Sequence, residues 1–475
     1  MRSVLLLSLL WGLAPCVPSL IHGEAIGMHH TDLFPALWSL WAWGMPDTSW
    51  TQTTLLGHPS GMGWFPPSVI RAFLAQMLIP FASLTSIFNF FVISSRLACI
   101  LLSYWAARQW KWSQTGGFAC AVLFGCSPML HGFALEGIIE AMDAWTIPLW
   151  LGCVARGNRI LTAFSFALLI ISSWYTAACG MLILCMLLIF KREAAWSVLG
   201  ILICGPIIYS FTQAWPVIQP FSSEISGQMS LHIQAPQPFW ISNSTLGITG
   251  SCSLIASVFV LKVRSVKLLL LALPILLSFG FFHQLPIVNL MRFPYRWHLA
   301  TLVIFCALLA PAVKDRAWLV WLIFAEQLLL SPIAPILPSS KVDIPDIYQL
   351  VDKPLLHIPG PYAQPAGVSN PSRMRASEFL LAQTMHQQPL INRGDFNGLE
   401  SKSNDWWLSW DPLSKQPPII PAQTDLRENT LILIQQGWLG KRSERLEQHL
   451  TELGSVLIER DRMRSLWLVP SKSKN

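Results

Sequence analysis

Long apolar runs separated by short polar turns dominate the chain up to about residue 335. A helix that crosses the hydrocarbon core of a bilayer needs about 20 mostly apolar residues. The pattern therefore predicts a polytopic α-helical membrane protein with about eleven spans. These predicted spans lie near residues 3–20, 87–106, 116–133, 144–155, 160–176, 177–190, 195–213, 247–261, 268–284, 297–313 and 317–335. Residues 66–81 are apolar but short and flanked by proline, which favours an interfacial helix.

Composition and charge divide the chain in two. It is 53% hydrophobic and 12% charged, whereas soluble domains carry about 25% charged residues. Residues 1–335 hold 26 charged side chains, and the much shorter segment 336–475 holds 31. We therefore expect a transmembrane domain over 1–335 and a water-exposed domain over 336–475. The net charge of +7 does not indicate nucleic-acid binding, because the basic residues are scattered at the ends of apolar runs.

The basic residues also predict an orientation. Short cytoplasmic loops are rich in lysine and arginine, and alternate turns of this chain carry such residues. These basic turns begin at Arg108, Arg156, Lys191, Lys262 and Lys314. The pattern places the N-terminus in the cytoplasm and, with an odd number of spans, segment 336–475 outside. Residues 1–20 also fit a cleaved signal peptide, but a proline before Cys16 and the lack of an A-x-A site favour an uncleaved span.

The predicted first outer loop, residues 21–67, is long and rich in tryptophan. Asp32 precedes a stretch in which leucines recur at helical spacing. Its carboxylate therefore either caps that helix or is held at the membrane surface as a general base. Trp38 lies in the same stretch, and indole rings favour the headgroup layer, where they could stack on a sugar.

Three histidines of this loop are further candidates. His29 and His30 are ligand-type residues, but their spacing matches no metal motif, so they are weak candidates for a divalent cation beside the alternative of surface polar residues. His58 begins a segment rich in turn-forming residues, which we expect to approach a substrate. These residues indicate no certain cofactor, and a divalent cation is the one that they could bind.

The second predicted outer loop is acidic. Glu136, Glu140 and Asp143 lie within eight residues, and Glu136 and Glu140 would share one face of a helix. Three acids at a membrane surface are either solvated or opposed by cations or by a hydroxyl-rich ligand.

Three arginines stand on the predicted outer side, against the orientation rule: Arg71, Arg292 and Arg296. Arg292 and Arg296 lie in the run NLMRFPYRWH, just before a predicted span. A guanidinium binds phosphate through two parallel hydrogen bonds. The pair therefore suits a lipid phosphate or diphosphate, and the alternative is snorkelling to lipid headgroups.

Segment 336–475 is predicted to be a small α/β domain. The predicted strands lie at 341–347, 431–435, 455–459 and 465–469, and the predicted helices lie at 372–387 and 441–454. Trp406, Trp407 and Trp410 form either a local core or a patch that contacts an acceptor or the membrane.

Four stretches carry a resemblance to a known family: TDLFPALWSLWAWG, HPSGMGWFPP, SSWYTAACG and MRFPYRWHLATLVIFCALLA. Together with the order of segments in the C-terminal part, they resemble the GT-C glycosyltransferase superfamily, nearest its bacterial YfhO-like and mannosyltransferase-like branch. The resemblance covers almost the whole chain. It implies a GT-C-like fold in the bacterial inner membrane and transfer of a sugar, with inversion, from a polyprenyl-phosphate donor to a lipid, glycan or protein acceptor.

The resemblance also implies residue roles. Asp32 matches the catalytic base, and Arg292 or Arg296 matches the arginine that contacts the donor phosphate. Many relatives have paired acids in the first loop, whereas this chain has a single one in Thr31-Asp32-Leu33, so the resemblance does not carry over metal dependence. The candidate substrate-binding residues are Arg292, Arg296, Glu136, Glu140, His58 and Trp38. Two alternatives stand beside this function: a transporter or flippase of lipid or polysaccharide, and a non-catalytic membrane protein that keeps the fold.

Overall fold

The described residues divide into two units. The structure is a computed structural model that describes residues 2–28, 32–63, 65–140, 142–214, 273–274, 277, 294–313, 316–329, 334–359, 371–392, 406–410 and 417–471. The first unit takes its residues from 1–29, 66–210 and 220–341, and the second from 30–65, 211–219 and 342–475.

Helices provide most of the first unit, and a small sheet lies in the second. The helices are α1 (Arg2–His22), α2 (Leu33–Ala42), α3 (Val69–Leu78), α4 (Leu84–Gln109), α5 (Gln114–Glu136), α6 (Thr146–Arg156), α7 (Arg159–Ser172), α8 (Trp174–Leu188), α9 (Ser197–Ile203), α10 (Gly205–Ala214), α11 (His298–Val313), α12 (Ala317–Leu329), α13 (Pro371–His386) and α14 (Arg442–Glu452). The strands are β1 (Ala25–Ile26), β2 (Gln52–Thr53), β3 (Met62–Gly63), β4 (Ser339–Ser340), β5 (Leu355–Ile358), β6 (Thr430–Gln435), β7 (Val456–Arg460) and β8 (Arg464–Val469).

Three helices among the described residues are long and apolar enough to cross a membrane. They are α1, α4 and α5, with 21, 26 and 23 residues. A fourth candidate is the bent pair Arg192–Ile203 and Gly205–Gln213, whose two parts meet at 57°. The chain thus contains helices that can cross a membrane, and the count of eleven stays a prediction. The predicted spans 247–261 and 268–284 fall almost wholly outside the described residues.

The predicted spans at 160–176 and 177–190 differ from the helices that the chain forms. Helix α7 has 14 residues and ends before Ser173, and α8 has 15 residues and begins after it. Ser173 is extended, with φ −166° and ψ 138°, and its hydroxyl accepts a hydrogen bond from the Tyr175 backbone N–H. A serine N-cap therefore divides one apolar run into two helices that are each shorter than the roughly 20 residues of a straight span.

A buried arginine joins the three long helices of the first unit. Arg96 of α4 donates to the Gly12 carbonyl of α1 over 3.3 Å and to the neighbouring Trp11 carbonyl. Its Nη1 also lies 3.0 Å from Nδ1 of His131 on α5. The second ring nitrogen of His131 lies 2.9 Å from the Ala334 carbonyl. We call these side chains and carbonyls the Arg96 network.

Close packing between α4 and α5 depends on a glycine. A Cβ added at Gly125 of α5 would lie 2.6 Å from the Ile100 Cα of α4. This approach is too close for any side chain, since real Cβ atoms essentially never come within 3.0 Å of another heavy atom. Small residues that let helix backbones meet are typical of helix pairs in membranes.

The second unit contains a four-stranded sheet in the order β5-β6-β8-β7. Strands β5 and β6 are parallel, and the other two pairs are antiparallel. Side chains of successive residues point to opposite faces of a strand. On one face Leu355, Leu433 and Leu466 pack in a core with Phe379 of α13, and on the other Ile432 and Ile434 pack with Leu446 and Leu450 of α14.

Residues 30–65 contribute to the core of this second unit. Trp38 of α2 is 4% exposed, and its indole N–H donates to Oε1 of Gln383 on α13 over 2.8 Å. Leu55 and Leu56 are buried in the same cluster. The tryptophans at 406, 407 and 410 are also buried, in the cluster on the α14 face, so they form a local core rather than a contact patch.

One predicted strand is wrong. The segment 341–347 forms no strand, and Asp346–Leu350 is a 3-10 helix instead. Pro345 precedes that helix, and proline cannot donate a hydrogen bond to a strand ladder. The strand β5, which pairs with β6, follows a few residues later and was not predicted.

We expect Gly125→Ala to lower the thermal unfolding temperature of the purified protein. Overpacking a close contact costs about 1–3 kcal/mol, and here the added methyl group would meet backbone rather than a flexible side chain. Gly205→Ala is the control, because no atom of the described residues lies within 4 Å of a Cβ at that position. Equal unfolding temperatures for the two variants would contradict this close approach of α4 and α5.

Acid should destabilise the second unit. Burial, together with His386 and Arg464, holds the pKa of His357 well below its ordinary value, and burial lowers the pKa of His386 to about 4. The unfolded chain therefore takes up these protons first, so the stability that both residues contribute is complete above about pH 6.5 and is lost as the pH falls toward 4.

The test is the unfolding temperature, followed by tryptophan fluorescence, between pH 7.5 and pH 5. We expect a decrease with acidification that His386→Gln makes shallower, because one group no longer titrates. A flat profile for the wild-type protein would show that the two histidines do not enter the folded state neutral.

Candidate functional site

A short segment after α5, which we call the acidic turn (residues 137–145), carries two of the predicted acids. Gly137 has φ +71° and ends α5 in the left-handed conformation that glycine adopts readily. The chain then continues to a 3-10 helix at Met142–Trp145. Because α5 ends at Glu136, the expectation that Glu136 and Glu140 share a helix face is wrong. Glu136 is the last residue of α5 and is half-buried.

Asp143 of the acidic turn forms a buried ion pair with Arg71 of α3. The Arg71 Nε donates to Asp143 Oδ1 over 2.7 Å, and Nη2 donates to the Ser95 hydroxyl over 2.5 Å. The Ser68 hydroxyl donates to Asp143 Oδ2 over 2.7 Å, and the Trp145 indole donates to Oδ1 over 3.2 Å. The two charged side chains are 3% and 1% exposed, so water does not screen this pair.

Glu140 of the same turn binds the second outer arginine. Arg296 Nη1 lies 3.2 Å from Glu140 Oε1, and Arg296 is 1% exposed. The guanidinium carbon lies 3.8 Å from the centre of the Tyr175 ring and 5.9 Å from that of Phe133. Arg296 is thus held by a carboxylate and by an aromatic face, both of which favour its charged form.

Local structure explains the position of each partner. Ser68 is the N-cap of α3 and places Arg71 in the first turn of that helix. Tyr175 follows the Ser173 N-cap at the start of α8. Arg296 lies in the 3-10 helix Pro294–Trp297 that leads into α11. The acidic turn therefore collects cations from helix termini that are far apart along the chain.

The structure brings together two residues that the sequence predicted for the site, Arg296 and Glu140. It adds two residues that were not predicted for the site, Arg71 and Tyr175. Arg71 was visible only as a basic residue on the predicted outer side, where such residues are disfavoured. That same signal pointed to Arg296, so the exception to the orientation rule identified both arginines. Tyr175 lies in the stretch SSWYTAACG, but its residue type alone did not assign it a role.

Asp32, the predicted base, belongs to the second unit. It occupies the N-cap position of α2, yet its side chain accepts no capping hydrogen bond. The cap interpretation is therefore wrong for the carboxylate, and only the Asp32 carbonyl takes part in the helix, where it accepts from the Ala36 N–H over 2.9 Å.

The other predicted residues of the second unit have different surroundings. Trp38 lies in the hydrophobic core, where its ring is enclosed and not open to a sugar. The expectation that it lies in the headgroup layer and binds substrate is therefore replaced by a core role. The His58 carbonyl accepts from Nη1 of Arg427 over 2.5 Å. Partial burial, and then the charge of Arg427, lower the pKa of His58 despite the opposing charge of Asp47.

Three predicted residues lie outside the part of the chain that the structure describes: Arg292, His29 and His30. The predicted phosphate contact of Arg292 and the metal contacts of the two histidines stay predictions. Among the residues that are described, no group of three or more His, Cys, Asp or Glu side chains is placed to hold a metal ion.

Comparison with known proteins does not assign this chain to a family. No protein-family model matches the chain, and no significant match to it was found among curated proteins.

We expect Asp143→Asn to destabilise the protein strongly. Removing one partner of a buried ion pair costs about 3–5 kcal/mol, because the other charge stays buried without compensation. The control is Glu193→Gln, which alters the partly exposed pair of Glu193 with Lys191 at 3.6 Å and should leave the unfolding temperature unchanged. Similar effects of the two substitutions would show that Arg71 keeps its charge compensated without Asp143.

Proposed function

We propose that the protein is an integral membrane glycosyltransferase of the GT-C type. In this proposal it transfers a sugar from a polyprenyl-phosphate donor to a lipid, glycan or protein acceptor on the extracytoplasmic side. The N-terminus lies in the cytoplasm, and segment 336–475 forms an extracytoplasmic α/β domain of a bacterial inner-membrane protein. The alternation of basic and acidic turns supports this orientation.

One observation carries the proposal: Arg296 is a buried guanidinium held by Glu140 and Tyr175 in a unit that contains helices able to cross a membrane. A lipid-linked phosphate that leaves during transfer needs a cation that is already oriented, because charge grows on its oxygen in the transition state. Two side chains hold Arg296 in place, so little of its conformational entropy remains to be lost on binding.

In the proposed reaction Asp32 acts as general base. Its carboxylate takes the proton of an acceptor hydroxyl, and that oxygen attacks the anomeric carbon of the sugar. The bond from this carbon to the donor phosphate breaks, and its electron pair stays on the phosphate oxygen that faces the arginine. The absence of a capping hydrogen bond to the Asp32 side chain supports this role, because the carboxylate does not stabilise α2 in that way.

A second candidate function has a specific observation in its favour. Each arginine at the acidic turn already has a carboxylate partner, Arg71 with Asp143 and Arg296 with Glu140. Such neutral pairs also suit a non-catalytic membrane protein in which the turn only fastens helices together. Transfer assays separate the two functions.

We expect Asp32→Asn to abolish transfer in membranes supplied with labelled polyprenyl-phosphate sugars and candidate acceptors. Loss of a positioned general base costs roughly 10²–10⁴-fold in kcat. Arg296→Lys keeps the charge but loses the planar fork, so it should lower kcat more than it raises the KM for the donor, because the guanidinium acts on charge that develops in the transition state. Asp47→Asn, an exposed aspartate on the segment after α2, is the matched control and should transfer at the wild-type rate.

An Asp32→Asn variant as active as wild type would exclude the base role. Wild-type protein that transfers none of the donor sugars would favour the non-catalytic function. A folded Arg296→Lys variant with unchanged kcat would leave the guanidinium with a structural role only.

A further inference from the structure

One end of the sheet in the second unit carries polar side chains where the rest of that face is apolar. His357 of β5, Gln435 of β6 and Arg464 of β8 lie in register positions that point to the same face as the leucines of this core. Gln435 and Arg464 are direct partners across the β6–β8 ladder. His357 and Gln435 lie toward the carboxyl ends of the parallel strands β5 and β6. We call this group, with Tyr348 and His386, the polar end of the sheet.

Two aromatic residues complete the polar end from the layer above. The ring of Tyr348 lies 5.8 Å from that of His357 and 6.0 Å from that of His386, almost parallel to the latter at 11°. The other neighbour of His357 is Phe379 of α13, stacked at 3.7 Å. Both histidines therefore face aromatic rings, and the Tyr348 hydroxyl is hydrogen-bonded with Arg464.

The polar end has more donors than acceptors. Nδ1 of His386 accepts the Gln388 backbone N–H over 3.0 Å, so the proton of the neutral ring is on Nε2. That Nε2, the Gln435 Nε2 and the Arg464 Nε have no acceptor among the described residues. Neither ring nitrogen of His357 has a partner there, and a neutral ring offers one donor and one acceptor.

Burial makes this imbalance costly. His357 is 0% exposed and Gln435 is 1% exposed, so bulk water does not reach them. Buried donors that find no acceptor oppose folding, and native proteins seldom contain several together. Arg464 adds a positive charge that Asp461 meets at 3.5 Å, and its side chain is 19% exposed. The polar end therefore reaches the surface at Arg464. Glu378 is the further acid near this arginine.

We infer that the polar end of the sheet binds a small oxyanion, the phosphate or carboxylate group of a ligand. Such a group supplies several acceptor oxygens for these donors. The polar end lies toward the carboxyl ends of β5 and β6, which form the parallel pair of this sheet. The inference is independent of the proposed sugar transfer, since none of the residues that carry it has a role in that proposal.

The test is calorimetric titration of the full-length protein in phosphatidylcholine nanodiscs and chloride buffer. The probes are inorganic phosphate and acetate, and nanodiscs that contain phosphatidylglycerol test a lipid headgroup as the source of the phosphate. We expect saturable binding of at least one probe. Gln435→Glu should weaken it by about tenfold or more, because the introduced carboxylate occupies the donors and repels the anion. Gln448→Glu makes the same charge change at an exposed position of α14 and should stay within about twofold of wild type.

The unfolding temperature gives a second measurement. Without any anion, the carboxylate introduced by Gln435→Glu should raise it, while phosphate should raise it for wild type and not for this variant. If Gln435→Glu is unstable, Gln435→Met replaces it in the test. This second variant removes the amide donors at similar side-chain volume, so a loss of binding by the folded variant is not caused by unfolding. Stabilisation by phosphatidylglycerol but not by phosphate would assign the site to a lipid headgroup. Absence of binding to all three probes, or equal binding by wild type and both Gln435 variants, would overturn the inference.

Discussion

A guanidinium inside an apolar helix bundle requires hydrogen-bond acceptors, and the packing of the long helices in the first unit depends on those that Arg96 binds. Pro15 of α1 has no N–H, so the Trp11 carbonyl four residues earlier lacks the donor that a regular helix supplies. Arg96 donates to this carbonyl and to that of Gly12. The unpaired carbonyl of α1 thus binds the guanidinium of α4. His131 of α5 contacts the same guanidinium and so joins the third helix to the other two.

At the acidic turn, buried arginines are also paired with acceptors, and there the acceptors are carboxylates. Two arginines that break the orientation rule are each compensated by an acid of one short segment, at 2.7 Å and 3.2 Å. A carboxylate partner keeps a buried arginine charged and oriented. The two pairs differ in what surrounds them. Hydroxyl and indole donors complete the shell of Asp143, whereas the aromatic faces of Tyr175 and Phe133 lie beside Arg296.

Sequence patterns predicted local features better than long-range contacts. The leucine spacing after Asp32 predicted α2, and the apolar runs predicted α4 and α5, because hydrophobic periodicity reports on the residue itself. The break at Ser173 was missed, since a single capping serine interrupts a run whose hydropathy stays high. At the site, the charge imbalance singled out Arg296 but could not name Glu140 as its partner. The burial of Trp38 could not be predicted either, because its partner Gln383 lies 345 residues later.

That last separation has a consequence for the order in which the chain acquires its structure. The core of the second unit takes Trp38, Leu55 and Leu56 from the early part of the sequence and Phe379, Leu433 and Leu466 from the late part. Until the ribosome has released the final strands, α2 has no partner for its apolar face. Such a core has high contact order and closes after the local helices have formed. A nascent chain that stalls before β6 would therefore expose the apolar residues of α2, and chaperones recognise such exposed apolar surface.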